Sequence, residues 1–298
     1  MVFRELQVVR GCVLTGMFVI AVFCGVRHSE IADAQESRGW RLPEGVSYKH
    51  TVRKDPRPLQ IHELTIDLRA QGGRLVVASG ADPDGEGPAE AVLMPPNDLA
   101  RSVKALAAIN TSAWAMLADP QTGKKPGYVA GGRADVSGWV KQGAITISPP
   151  QAGYWSLWMD GMGKVSIGQV GALQETERRL LEAKWAVSGF RGILKDGQVL
   201  VEPSTVLHPR TAAGLSADAA KMIWLVVDGR QKGFSEGVSE EELARLLLES
   251  GCADGINLDG GGSSSMWLRN SVFELEVANR PSEATGPRPV PVMLSLIE

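Results

Sequence analysis

Between Lys221 and Val227 the chain reads KMIWLVV, six apolar residues in succession after a single lysine. So short a run, uninterrupted by polar side chains, fits a strand at the centre of a sheet, buried on both faces. Asp228-Gly229 follows it directly. With Asp160-Gly161 and Asp196-Gly197 it forms a set of three turn signals that stand beside β-rich sequence. Farther upstream, Leu64, Ile66 and Leu68 alternate with Glu63, Thr65 and Asp67, the pattern of a half-buried strand. Arg74–Ser79 is expected to be its hairpin partner across Gly72-Gly73.

Helix signals are few. Asn97 or Asp98 is placed to cap a short helix reaching Lys104, after which Leu106–Ile109 reads as a strand that stops at Asn110. Ser239 and Glu242 have the spacing of a capping box, Leu243, Leu246 and Leu247 share one face, and Gly251 ends that helix. The chain finishes on strand-like sequence from Val290 to Ile297. These elements predict an α+β fold: a single domain over residues 60–298, with a mixed, largely antiparallel sheet core and a few flanking helices.

The N-terminus points to export. Arg4 and Arg10 precede an apolar stretch from Gly11 to Val26, too short to span a bilayer comfortably, and Ala32-Asp33-Ala34 offers an A-x-A cleavage pattern before Gln35. The expectation is a signal peptide over residues 1–34, a leader segment over 35–59 and a secreted or periplasmic protein with no membrane span after processing. An uncleaved membrane anchor is the alternative; a lipoprotein at Cys24 is disfavoured by the bulky Phe23 before it. Processing would leave Cys252 as the one cysteine, so the fold must rest on its core rather than on disulfides. A net charge of −3 without a basic run gives no footprint for nucleic acid.

Chemistry concentrates at strand ends. Asp259 closes the strand Gly255–Leu258 and opens Gly260-Gly261-Gly262-Ser263-Ser264-Ser265. Three glycines let a ligand approach the backbone, their N–H groups can cradle an anion, and Ser263 adds a donor. The loop is no dinucleotide fingerprint, because Met266-Trp267-Leu268 resumes a strand where a helix would be required. His208-Pro209-Arg210-Thr211 places a guanidinium fork at a strand start, suited to phosphate oxygens, with His208 as an acid, a base or simply a hydrogen-bonded ring. Val227-Asp228-Gly229-Arg230 puts a second acid at a strand end. Asp228 with Asp259 could form a carboxylate pair or hold a divalent metal, or Asp228-Gly229 could be only a turn. Asn110 is a fourth polar residue in such a position.

In order and spacing, Ser188–Leu194, His208–Gly214, Leu225–Arg230, Gly237 with its following helix, Gly251–Ser265, Asn279-Arg280-Pro281-Ser282 and Arg288 resemble the phosphodiester glycosidase family. Asn110-Thr111-Ser112-Ala113-Trp114 departs from it where members carry Asn-Gly-Gly followed by aromatics, a departure that bears on sugar specificity. The resemblance implies hydrolysis of a sugar 1-phosphodiester, on a glycan or envelope polymer, to a free sugar and a phosphomonoester. Asp259 would then be nucleophile or base and Asp228 the partner acid or a ligand to sugar hydroxyls. Arg210 would clamp phosphate, with Arg230 and the Gly260, Gly261 and Gly262 amides assisting, and Asn110 would bind substrate. A non-catalytic carbohydrate-binding module and a metal-dependent phosphodiesterase cutting the P–O bond are the alternatives.

Overall fold

The computed structural model describes residues 39–70, 72–170 and 182–298, so the expected signal peptide lies outside the described residues. Every pairing between named strands is antiparallel. The described residues hold two α-helices, Pro96–Ser102 and Glu240–Glu249, of seven and ten residues. The expected α+β class is therefore corrected to a mainly β fold; the largely antiparallel character expected of the core holds, without a parallel component between the named strands. Short strands joined by tight turns leave little chain for crossover helices.

The largest sheet has seven strands, ordered Val46–Arg53, Leu59–Asp67, Lys221–Val227, Arg210–Leu215, Asp254–Asn257, Arg191–Lys195 and Gln198–Val199. Lys221–Val227 lies inside this sheet, and from Met222 onward it is wholly buried. The strand Val46–Arg53 falls within the stretch read as a leader and pairs with Leu59–Asp67 from Val46↔Ile66 to Arg53↔Leu59. Leu59–Asp67 thus has neighbours on both edges, and Arg74–Ser79 is not its hairpin partner. That segment pairs instead with Val292–Ile297 in a five-stranded sheet ordered Leu275–Val277, Met266–Arg269, Ala107–Asn110, Val292–Ile297 and Arg74–Ser79. A second five-stranded sheet contains Trp155–Met159 and Trp185–Gly189, and a three-stranded one contains Trp114–Met116 and Arg133–Val136.

One core joins the seven-stranded sheet (Leu64, Trp224, Ile256) to both five-stranded sheets (Ile109, Leu268 and Leu294; Leu157 and Val187). On the opposite face of the seven-stranded sheet, Leu243, Leu246 and Leu247 of helix Glu240–Glu249 pack on Ile193, Ala212, Leu225 and Val227. That helix starts as its sequence dictates. Ser239 accepts from the Glu242 N–H while Glu242 accepts from the Ser239 N–H, and Gly251, at φ +86°, takes the left-handed position past its end. Helix Pro96–Ser102 has no side-chain cap: Pro95 and Pro96 start it, not Asn97 or Asp98. Its Leu99 and Ala100 cover the outer face of the five-stranded sheet at Ala78, Ala108 and Met293. No helix among the described residues is long and apolar enough to cross a membrane.

Candidate active site

Strand register gathers the site. Arg210 pairs with Val227, so the start of one strand lies beside the end of its neighbour, where Asp228 follows. Ala212 pairs with Asn257, which brings Leu258 and Asp259 past the same edge. Alternating strand directions therefore deliver residues distant in sequence to one end of the sheet.

Asn110 couples that end to the neighbouring sheet. Its Nδ2 donates to the Asp259 carbonyl at 2.6 Å, and its Oδ1 accepts from Thr211 Oγ1 at 2.8 Å and from the Ser265 N–H at 3.0 Å. With 1% of its surface exposed, Asn110 spends its amide on the two ends of the glycine-serine loop. The Asp259 N–H also donates to the Thr111 carbonyl at 2.7 Å. Asn110 thus holds the backbone of the loop instead of facing the solvent.

Asp228 is equally buried, at 1% exposed. Its Oδ1 accepts from Asn279 Nδ2 at 2.8 Å and from the Arg280 N–H at 3.1 Å, and Oδ2 lies 3.0 Å from that N–H and 3.5 Å from His62 Nε2. His62 Nδ1 in turn meets the Tyr48 hydroxyl at 2.7 Å. Asn279 extends the contact to the serine loop, donating to the Ser264 carbonyl at 3.2 Å and accepting from the Met266 N–H at 2.9 Å. The two strand-end acids therefore differ: Asp228 is enclosed by donors, whereas Asp259 is partly accessible. Among the described residues no three His, Cys, Asp or Glu side chains come together as a metal site.

Burial dominates at Asp259 and lifts its carboxyl from 3.8 to about 6, against the opposing pull of the Ser263 hydroxyl, the Arg288 guanidinium and the Gly260 N–H. The Ser264 and Ser265 hydroxyls are buried and have no hydrogen-bond partner. The glycines serve close approach. A methyl on Gly261, at φ +62°, would lie 3.2 Å from Arg230 Nη1, and one on Gly262 would overlap the Arg288 guanidinium and Glu283 Oε1. The expected amide cradle is smaller than three N–H groups, since that of Gly261 donates to the Pro209 carbonyl at 2.9 Å and that of Gly260 acts on Asp259.

Arg230 and His208 meet at 3.2 Å between Nη2 and Nδ1. A guanidinium has only donors, so His208 Nδ1 is the acceptor and its proton sits on Nε2. Burial, helped by Arg210 and Arg230, lowers the His208 pKa and favours this neutral ring. Arg210 is tied on one side, with Nε 3.4 Å from the Val238 carbonyl and Nη1 3.5 Å from Glu240 Oε1. Glu240, at the start of its helix, also accepts from Asn257 Nδ2 at 2.9 Å. Beyond Arg210 and His208 opens a cleft of about 390 Å³ lined by Phe190, Val206 and Glu240 among others.

Residues outside the strand-end reasoning complete the site. Arg288 Nη2 donates to Glu283 Oε1, and its guanidinium lies 4.1 Å from the centre of the Tyr128 ring, which Trp114 meets edge-on at 5.2 Å. Arg288 and Asn279 stand in segments that carry the family resemblance. Glu283 and Tyr128 sit in Gly- and Pro-containing loops without periodic signal.

The Asp259 carboxyl, pushed up by burial, stands with Arg230, Arg288 and Arg210 at the strand ends of an antiparallel β scaffold, an arrangement suited to an anion. The phosphodiester glycosidase family matches residues 104–297, and the chain belongs to it. The fold resembles the catalytic domain of zebrafish N-acetylglucosamine-1-phosphodiester alpha-N-acetylglucosaminidase, auto-inhibited by its pro-peptide, with a TM-score of 0.57 and 19% identity over 90% of this chain and 87% of that one. It also resembles a Burkholderia pseudomallei protein assigned as exported (TM-score 0.51, 17% identity, 83% and 76% covered). A Synechocystis protein matches at a TM-score of 0.53 and 14% identity, over 85% of this chain and 62% of that one. In sequence, the chain is 28% identical over 180 residues to the SPbeta prophage-derived protein YomE of Bacillus subtilis, covering 56% of this chain and 24% of that protein. It thus spans about a quarter of that relative's length.

Proposed function

We propose that this protein hydrolyses the bond between the anomeric carbon of a sugar and the oxygen of a 1-phosphodiester. The carrying observation is the Asp259 carboxyl, lifted to about 6 beside a loop whose missing side chains admit the guanidinium groups of Arg230 and Arg288. The arginines, with Arg210 at the cleft, neutralise the phosphate. Asp259, ionised above about pH 6, acts on the anomeric carbon as base or nucleophile. As base it takes a proton from water while the water oxygen bonds to carbon. The bond from that carbon to the phosphate oxygen breaks as the new one forms, and its electron pair leaves with the phosphomonoester. Asp228 and Asn110 act from behind the site: Asp228 holds Asn279 and the serine loop, and Asn110 holds the Asp259 backbone. An exported, envelope-glycan setting fits the N-terminal sequence pattern.

Hydrolysis of a sugar 1-phosphodiester in oxygen-18 water tests the reading. Label in the sugar and none in the phosphate is expected. Label in the phosphate would mean cleavage of the P–O bond, and absence of turnover would leave a binding module.

A further inference from the structure

We infer that Glu283 is a tethered anion seated in the phosphate-binding position, and that substrate must displace it from Arg288. The inference rests on the phosphodiester reading and adds a residue that sets how strongly an anion must bind to enter. Three observations meet at one spot. Glu283 Oε1 accepts from Arg288 Nη2, and both groups crowd the face of Gly262, where any side chain would overlap them. The next glycine, Gly261, carries the Arg230 guanidinium in the same way, 3.2–3.3 Å from a methyl placed there. Arg288 acts electrostatically on Asp259, which ties the arginine that Glu283 occupies to the reacting carboxyl.

The mechanics favour exchange. The Glu283 side chain is 36% exposed and that of Arg288 is 18% exposed. An ion pair whose carboxylate is partly open to water is weak, and a partner of higher charge density can replace it. Arg288 is anchored independently by the Tyr128 ring at 4.1 Å, so it keeps its place when Glu283 leaves. Arg288 Nε is buried without a hydrogen-bond partner. A phosphate oxygen accepts from such a donor, and a group with several oxygens can meet Arg288 and Arg230 together where one carboxylate meets only Arg288. Glu283 thereby reserves the position for anions stronger than a single carboxylate.

The opposite role for Glu283 is support, in which it orients Arg288 for the ligand. Isothermal titration of the full chain with inorganic phosphate separates the two, comparing wild type with Glu283→Gln in the presence and absence of Arg288→Ala. Displacement predicts that Glu283→Gln tightens phosphate binding by roughly three- to tenfold. It also predicts that this gain vanishes in the Arg288→Ala background, because Glu283 competes through that arginine. Unchanged or weaker binding in Glu283→Gln overturns the inference in favour of support, and so does a gain that survives Arg288→Ala. Failure of wild type and Glu283→Gln alike to bind phosphate overturns it as well. Turnover is read separately: a chain that gains phosphate affinity yet cleaves no sugar phosphodiester would refute the proposed function and leave the tethered anion standing.

Discussion

A carboxyl that loses its proton near pH 6 rather than 3.8 makes Asp259 visible in both activity and stability. Its action as base or nucleophile requires the ionised form, so kcat/KM should fall as pH drops below about 6. A pH–rate profile that rises in that direction would make Asp259 a proton donor instead. Between 3.8 and about 6 the folded protein holds a proton that the unfolded chain has lost, so this group's contribution to stability declines as pH rises through that window. Above it the cost is constant and at most roughly 3 kcal/mol. Asp259→Asn should therefore raise the thermal midpoint at pH 7 by roughly 5 °C, with the gain shrinking towards pH 4, while kcat falls on the order of 10²–10⁴. Calorimetry and turnover on the same purified variant check both halves, and an Asn variant that is no more stable would remove the burial argument. The strand-end positions of Asp259 and Asp228 were legible in the sequence. Their difference was not, because the Asn279 and Arg280 groups that enclose Asp228 arrive from about fifty residues downstream.

At the level of elements, the capping-box helix was legible and strand partnership was not. The helix Glu240–Glu249 follows from Ser239, Glu242 and the leucine face, all within one short stretch. Ser239→Ala should cost about 1 kcal/mol in chemical denaturation. It should also weaken phosphodiester binding slightly, because the helix start holds Glu240 against Arg210. The partner of Arg74–Ser79 could not be read locally, since Val292–Ile297 lies more than two hundred residues away. Asn110 shows the same limit: its strand was legible, but not its role in joining two sheets. Asn110→Ala strips partners from the Asp259 carbonyl, the Thr211 hydroxyl and the Ser265 N–H. A loss of roughly 2–4 kcal/mol is expected, with turnover reduced even in the folded fraction. Cys252 behaves oppositely. Its buried thiol is pushed up to about 12 and is inert, so Cys252→Ala should lower the thermal midpoint and leave kcat intact.

Across the whole molecule, the seven-stranded sheet interleaves distant parts of the chain. Its middle is Lys221–Val227, Arg210–Leu215 and Asp254–Asn257, and both flanks come from residues before 200. Between them in sequence lies an exposed connection in which Leu200 is 48% and Val206 56% accessible. A protease that nicks this connection would therefore not release a folded piece. The upstream fragment would still grip the downstream strands from both sides, as two halves of a clasp hold a cord. The cut protein should elute as one species from a sizing column in native buffer and separate into two fragments only in denaturant. The same arrangement makes the connection a natural place to divide the chain into two separately expressed halves that reassemble on mixing.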